Sequence, residues 1–376
     1  MVEQTPETSA NATAAAAAST SPEPAPAAAG SPAPADTSAE VPGAIEGPIE
    51  AEVYEEEPGD DADSALGDDA ASTTASLSSS ILEYRTLNGR TYHSERHGEG
   101  KYWGPNDDRQ NEAMDMNHHF LTLCLGGKLF LAPLKDDVKK ILDIGTATGL
   151  WAIDVADEYP NCEVIGTDLS PIQPAFCPPN VQFQIDDAEQ DWTFEPNSFD
   201  YVHIRYMIGA ILDWPKLFRQ AYRVLKPGGW IESFETEAHY RSDDGTLPAD
   251  SAMYMWQDLF LEGGKKLNRS FSVITNDTQR KGIEEAGFVD LSIKDIKVPM
   301  GGWPADRKLR EIGQWAQCTL EQDLEGFVVF MWNTVLGRPL ADMQLFLMKY
   351  RKELRTKSIH AYLPQRVVYA RKPENA

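Results

Sequence analysis

Two hydrophobic periods alternate along most of this chain. Short runs dense in apolar residues, of the length of buried strands, stand at Ile141–Ile144, Cys162–Thr167, Val181–Ile185, Ser198–Ile204 and Trp230–Phe234. Between them lie helix-like stretches. Leu150–Tyr159 is one; Asp213–Leu225 is another, with Trp214, Leu217, Phe218, Ala221, Tyr222 and Leu225 at helical spacing. Lys226–Gly229 reads as a turn. A helix over 276–286 is predicted to end at Gly287 as its C-cap, followed by a strand over Phe288–Ile293 and a last one over Arg366–Arg371. Strands alternating with helices predict a mostly parallel sheet with both faces covered. On such a sheet ligands sit beyond the carboxyl ends of the strands.

The first strand runs directly into Gly145-Thr146-Ala147-Thr148-Gly149, and the helix begins at Leu150. Glycine lets a backbone turn sharply and approach a ligand closely, and the helix start offers unpaired N–H groups to an anion. A dinucleotide fingerprint places its last glycine where this chain has Leu150. The spacing here is G-x-A-x-G, with Asp143 two residues before the first glycine, suited to the ammonium of a bound amino acid. The second strand ends at Asp168, 23 residues after Gly145, where a carboxylate can accept both hydroxyls of a ribose. The third ends at Asp186-Asp187-Ala188, where an acid can accept from an adenine amino group. This order favours S-adenosylmethionine (SAM) over NAD. The expected cofactor shell is Asp143, Gly145, Thr146, Ala147, Thr148, Gly149, Asp168 with Leu169, and Asp187 with Ala188.

These residues also carry a resemblance. Leu142–Gly149, Val164–Pro171, DDAEQDW (Asp186–Trp192) and AYRVLKPGGW (Ala221–Trp230) resemble the LaeA-like, velvet-associated class I methyltransferases of filamentous fungi. The likeness extends upstream to Asn88–Asp107 and His118–Leu129. Downstream it takes in Ser242–Ala252, Glu284–Asp290, and the RKELRTKSIHAY and VVYARKP blocks. It covers about residues 81–376. It implies a Rossmann-like α/β fold, a seven-stranded mostly parallel sheet with helices on both faces and the last strand antiparallel. It also implies SAM as cofactor, velvet-type regulatory proteins as partners, and a role in regulating secondary metabolism or development. Two positions depart from the family: Ala147 stands where a middle glycine is usual, and Ala113 where an Arg is frequent. A methyl group at Ala147 is tolerated if φ stays negative. The segment around Ala113 is expected to fold over the cofactor.

Charge divides the chain. Of its 376 residues the first 80 hold 16 Asp or Glu and no Lys or Arg, and are rich in Ala, Pro, Ser and Thr. Such a segment buries too little apolar surface to offset its ordering entropy, so it is expected to be disordered. Residues 81–376 carry 43 acids and 34 bases, a net charge of −9. Within them we expect a cap segment over 81–138, a cofactor-binding core over 139–237, and helical insertions over 238–272 and 299–358. The insertions hold Met253, Met255, Trp256, Phe260, Trp303, Trp315, Phe327 and Trp332. These residues suit either internal packing or an aromatic lid or partner groove.

The start lacks the basic and apolar regions of a signal peptide, and no stretch approaches the roughly 20 apolar residues of a membrane span. The expectation is a soluble intracellular protein, nuclear or cytoplasmic. Cys124, Cys162, Cys177 and Cys318 form no C-x-x-C pair, and His118-His119 point apart on a helix, so no metal site is expected. Low basic density argues against direct nucleic-acid binding.

Methyl transfer from a sulfonium is an in-line displacement that alignment and exclusion of water accelerate. A base is required only for an acceptor that must lose a proton. His203 and Tyr206 are the candidates, with Arg205 available for charge. Two other readings remain: a SAM-fold scaffold subunit that does not catalyse, and a biosynthetic small-molecule methyltransferase.

Overall fold

The computed structural model describes residues 47–52, 84–94 and 102–376. A hairpin, β1 (Arg85–Leu87) and β2 (Arg90–Tyr92), precedes α1 (Asp108–Cys124). There follow β3 (Lys140–Ile144), α2 (Leu150–Glu158), β4 (Glu163–Asp168), β5 (Val181–Ile185), β6 (Phe199–Arg205), α3 (Trp214–Val224) and β7 (Leu225–Thr236). The chain continues through α4 (Ala252–Leu267), α5 (Thr278–Ala286), β8 (Val289–Pro299), α6 (Arg307–Gln322) and α7 (Leu324–Val329). A π-helical turn (Phe330–Val335), α8 (Leu340–Arg355) and β9 (Tyr362–Arg371) complete it.

Seven strands form one sheet in the order β5-β4-β3-β6-β7-β9-β8. β5 to β7 pair in parallel, and β9 is antiparallel to both its neighbours. The chain steps outward from β3 to β4 to β5, then returns to place β6 on the other side of β3. The crevice above β3 and β6 is therefore a topological switch point, where parallel sheets bind ligands. Alternation along β3 separates the two cores. Ile141 packs with Trp151, Val155 and Tyr201 on one face, and Leu142 and Ile144 pack with Val202, Leu217 and Phe218 on the other. Asp143 shares the Ile141 face.

The two insertions are helical, and their large apolar residues mostly pack inward. Met253, Trp256, Phe260, Phe327, Met331 and Trp332 join the main core, and Trp303 is also buried. Internal packing thus accounts for most of the set. Two expectations need correction. Lys226–Gly229 lies inside β7, where a register shift between Phe199 and Tyr201 absorbs the irregularity. β8 runs six residues beyond its expected end: exposed Lys294 and Asp295 precede buried Ile296, and Lys297 separates it from buried Val298 on this edge strand, so charge masks the period.

Residues 47–52 belong to the segment expected to lack order, yet Ala51 bridges Pro304, Glu52 N–H donates to Trp303 O, and Ala305 N–H donates to Glu50 O. The rest of the first 80 residues lies outside the described residues.

Candidate functional site

The end of β3 is tied to the end of β4. The amides of Gly145 and Thr146 both donate to Thr167 O at 2.9 Å. Gly145 (φ +70°) and Gly149 (φ +84°) are left-handed, and a Cβ on Gly149 would strike the Phe183 ring of β5. Ala147 is left-handed too, at φ +50°. The negative φ expected there is not adopted, and the strain is held from outside. Ala147 N–H donates to Asp168 Oδ2 at 2.9 Å, while its carbonyl accepts from Gln173 Nε2 at 2.7 Å.

Above this turn opens a cavity of about 480 Å³, within the size range of small-molecule sites. Asp143, Gly145, Thr146, Ala147, Thr148, Asp168, Leu169, Asp187, Ala188, Arg205 and Tyr206 all line it. Gly149 does not; it serves the turn and the α2 start. His203 does not either. It is 1% exposed, its Nδ1 meets Asp143 Oδ1 at 2.7 Å, and its ring stacks on Trp151 at 3.6 Å. Burial pushes this imidazole down to about 4, against the pull of Asp143. The proposed base is thus a packing and positioning histidine, fixed because Asp143 and His203 are direct neighbours across β3 and β6.

Asp168 accepts from the amides of Ala147 and, at 3.0 Å, Ser170. Burial raises its carboxyl to about 6, opposed by those amide bonds. Asp187 closes a turn by accepting from Glu189 N–H at 2.9 Å. Tyr206 (φ +57°) accepts from Gln365 Nε2 through its hydroxyl. His118 and His119 diverge: one meets Asp154 and Arg205, and the other sets its ring edge-on to Trp315. Among the described residues no cluster of three or more potential metal ligands occurs, and no helix is long and apolar enough to cross a membrane.

The other wall comes from upstream and is harder to read in sequence. Arg90 forks between Asp107, the N-cap of α1, and Asp323, the N-cap of α7, with 2.6 Å contacts to each. This clamp sets Asn106 and Gln110 against the cavity, and Asn106 Nδ2 donates to Ser170 Oγ at 3.2 Å. Asn106 Oδ1, Gln110 Oε1 and Thr146 Oγ1 are buried at the cavity without partners. The P-N-D-D run was the available signal, since Asp after Pro-Asn is a strong helix N-cap. Ala113, one turn further, is fully buried in the core and does not reach the cavity. His93, from just after β2, also lines the wall, with burial lowering its pKa to about 4.

Carboxylates thus stand at or within two residues of the ends of three adjacent strands, facing a cavity that holds unpartnered hydrogen-bonding atoms. This donor set fits a cofactor bearing an ammonium, a ribose and an adenine. A methyltransferase-domain family model matches residues 116–293. Methyltransferase pytC of Aspergillus terreus is 39% identical over 306 residues, covering 81% of this chain and 93% of that protein. Secondary metabolism regulator LAE1 of Cochliobolus heterostrophus is 36% identical, covering 76% and 94%. The protein-methionine methyltransferase laeA of Emericella nidulans is 31% identical, covering 82% and 81%.

The chain belongs to the LaeA-like fungal methyltransferases. It is a class I, SAM-dependent methyltransferase, and its sheet has the seven-stranded order with one antiparallel strand expected of that class. When bound, SAM supplies an electrophilic methyl group on a sulfonium. Asp143, Asp168 and Asp187 would hold it on one side of the cavity, with Asn106 and Gln110 on the opposite wall.

Proposed function

We propose that this LaeA-like protein lays SAM along the carboxyl ends of β5, β4 and β3, and that it methylates an acceptor holding a free lone pair at neutral pH. Asp187 is assigned to the adenine, Asp168 to the ribose and Asp143 to the ammonium. The observation that carries the reading is the row of three acids at consecutive strand ends around one cavity. Catalysis then rests on alignment. Each histidine near the cavity has its pKa lowered by burial, and His203 is held by Asp143. A methionine thioether is an acceptor of this kind, and one relative carries the name protein-methionine methyltransferase. The names of other relatives support a setting in the regulation of secondary metabolism.

The test is transfer from methyl-labelled SAM to proteins of a fungal extract. Label on methionine sulfur forms a sulfonium that releases dimethyl sulfide in warm base. Label that stays on the protein in base, as on nitrogen, or that leaves as methanol, as from a carboxyl ester, would contradict the thioether reading.

A second reading, docking of a velvet-type regulatory protein, is supported by α8. Leu345 and Met348, one helical turn apart, are each 63% exposed there. Charged substitutions at both would abolish the regulatory phenotype while methyl transfer persists. Unchanged regulation would count against docking through this face.

A further inference from the structure

Arg205 is the last residue of β6, one position beyond the Ile144–Ile204 register pair, which places it beside Gly145. It lines the cavity. Among the described residues no carboxylate lies within ion-pairing distance of its guanidinium. Asp143 attracts it without contact and is itself engaged by His203. Among the described residues its one direct hydrogen-bond partner is His118, whose Nδ1 meets Arg205 Nη2 at 3.0 Å. Arginine only donates, so His118 Nδ1 accepts, and its Nε2–H donates to Asp154 Oδ2 at 2.8 Å. A neutral imidazole therefore fixes the guanidinium without neutralising it. A desolvated cation without a counter-charge is costly unless a ligand supplies one.

The position of this charge says which ligand. Along the strand ends the order is Asp187, two residues past β5, then Asp168 on β4, Asp143 on β3 and Arg205 on β6. Three interstrand steps span about 14 Å. A cofactor with adenine at β5 and ribose at β4 brings its amino-acid end to β3 and β6. There a negative and a positive side chain stand next to each other.

We propose that Arg205 receives the α-carboxylate of the cofactor's methionine moiety, with Asp143 taking the ammonium, so that the pair reads the zwitterion. The inference rests on the SAM site described above. It gives Arg205 a binding role in place of the catalytic one considered from sequence, and it makes His118 and Asp154 its positioning residues.

The test is a calorimetric cycle on the full-length protein with SAM and with decarboxylated SAM, which lacks only the carboxylate. The wild type is expected to bind decarboxylated SAM roughly ten- to a hundred-fold more weakly than SAM, the range of a charge-assisted hydrogen-bonded pair. Arg205→Gln is expected to weaken SAM binding by a similar factor while leaving decarboxylated SAM within about two-fold. Equal losses for both ligands would make Arg205 a structural residue and overturn the assignment. Unchanged SAM affinity in the variant would overturn it too, and assign the cation to the methyl acceptor instead. Should Arg205→Gln fail to fold, Arg205→Lys serves: it keeps the charge but loses the fork, and is expected to retain a preference for SAM over the decarboxylated form. The wild-type comparison depends on no variant, and equal affinity for the two ligands there overturns the proposal. Absence of SAM binding by the wild type defeats the cofactor assignment itself, and this one with it.

Discussion

The backbone amide of Ala147 donates to Asp168 Oδ2 at 2.9 Å, so the residue expected to hold the ribose also holds the glycine turn in shape. That bond keeps an alanine at φ +50°, a conformation that costs a non-glycine residue roughly 1–2 kcal/mol. Ala147→Gly is therefore expected to stabilise the protein by about 1 kcal/mol, raising Tm by a few degrees. A lower Tm in this variant would show that the methyl group makes packing contacts worth more than the strain.

The cap segment depends on one guanidinium. Arg90 bonds Asp107 and the fully buried Asp323, with Arg109 a more distant 3.3 Å from Asp323. Removing one partner of a buried ion pair typically costs about 3 kcal/mol or more. Arg90→Ala is expected to lower unfolding free energy by about that amount in denaturant titration. SAM affinity should fall with it, because Asn106 and Gln110 are placed by the same clamp. A loss under about 1 kcal/mol would mean that Arg109 replaces it.

Stability should also fall as pH rises, by a route not visible in the sequence. Glu235 is fully buried in β7; one carboxyl oxygen accepts from Met207 N–H at 3.0 Å, and the other has no partner. Burial raises its pKa from 4.5 to about 8, and that of Glu232 to about 7. The native state therefore holds these protons more tightly than the unfolded chain. Their stabilising contribution is complete below about pH 4.5 and is lost as pH climbs through about 7 to 8. Glu235→Gln is expected to flatten the fall of Tm between about pH 5 and about pH 8.5. Parallel curves for variant and wild type would contradict the assignment.

What the sequence made legible was local. The apolar runs ending at Ile144, Asp168 and Ile185 lie at strand ends as anticipated, because a buried parallel strand followed by glycine or acid is written in consecutive residues. Gly287 closes α5 in the left-handed conformation for the same reason. What stayed hidden depends on distant partners. The sign of φ at Ala147 follows from Asp168, and the withdrawal of His203 from the cavity follows from its register opposite Asp143. Asn106 and Gln110 flank Asp107, which Arg90 ties to Asp323 across 233 residues of sequence. The period of β8 was concealed by charges on an open sheet edge.

The central claim is that the acids at the strand ends form the SAM site, and calorimetric titration with SAM tests it most directly, comparing wild type with Asp168→Ala. Loss of a charge-assisted hydrogen bond is worth about 1.5–3 kcal/mol, so the variant is expected to bind at least about ten-fold more weakly while still unfolding cooperatively. Wild-type binding matched within about two-fold by the variant, measured on folded protein, would contradict it.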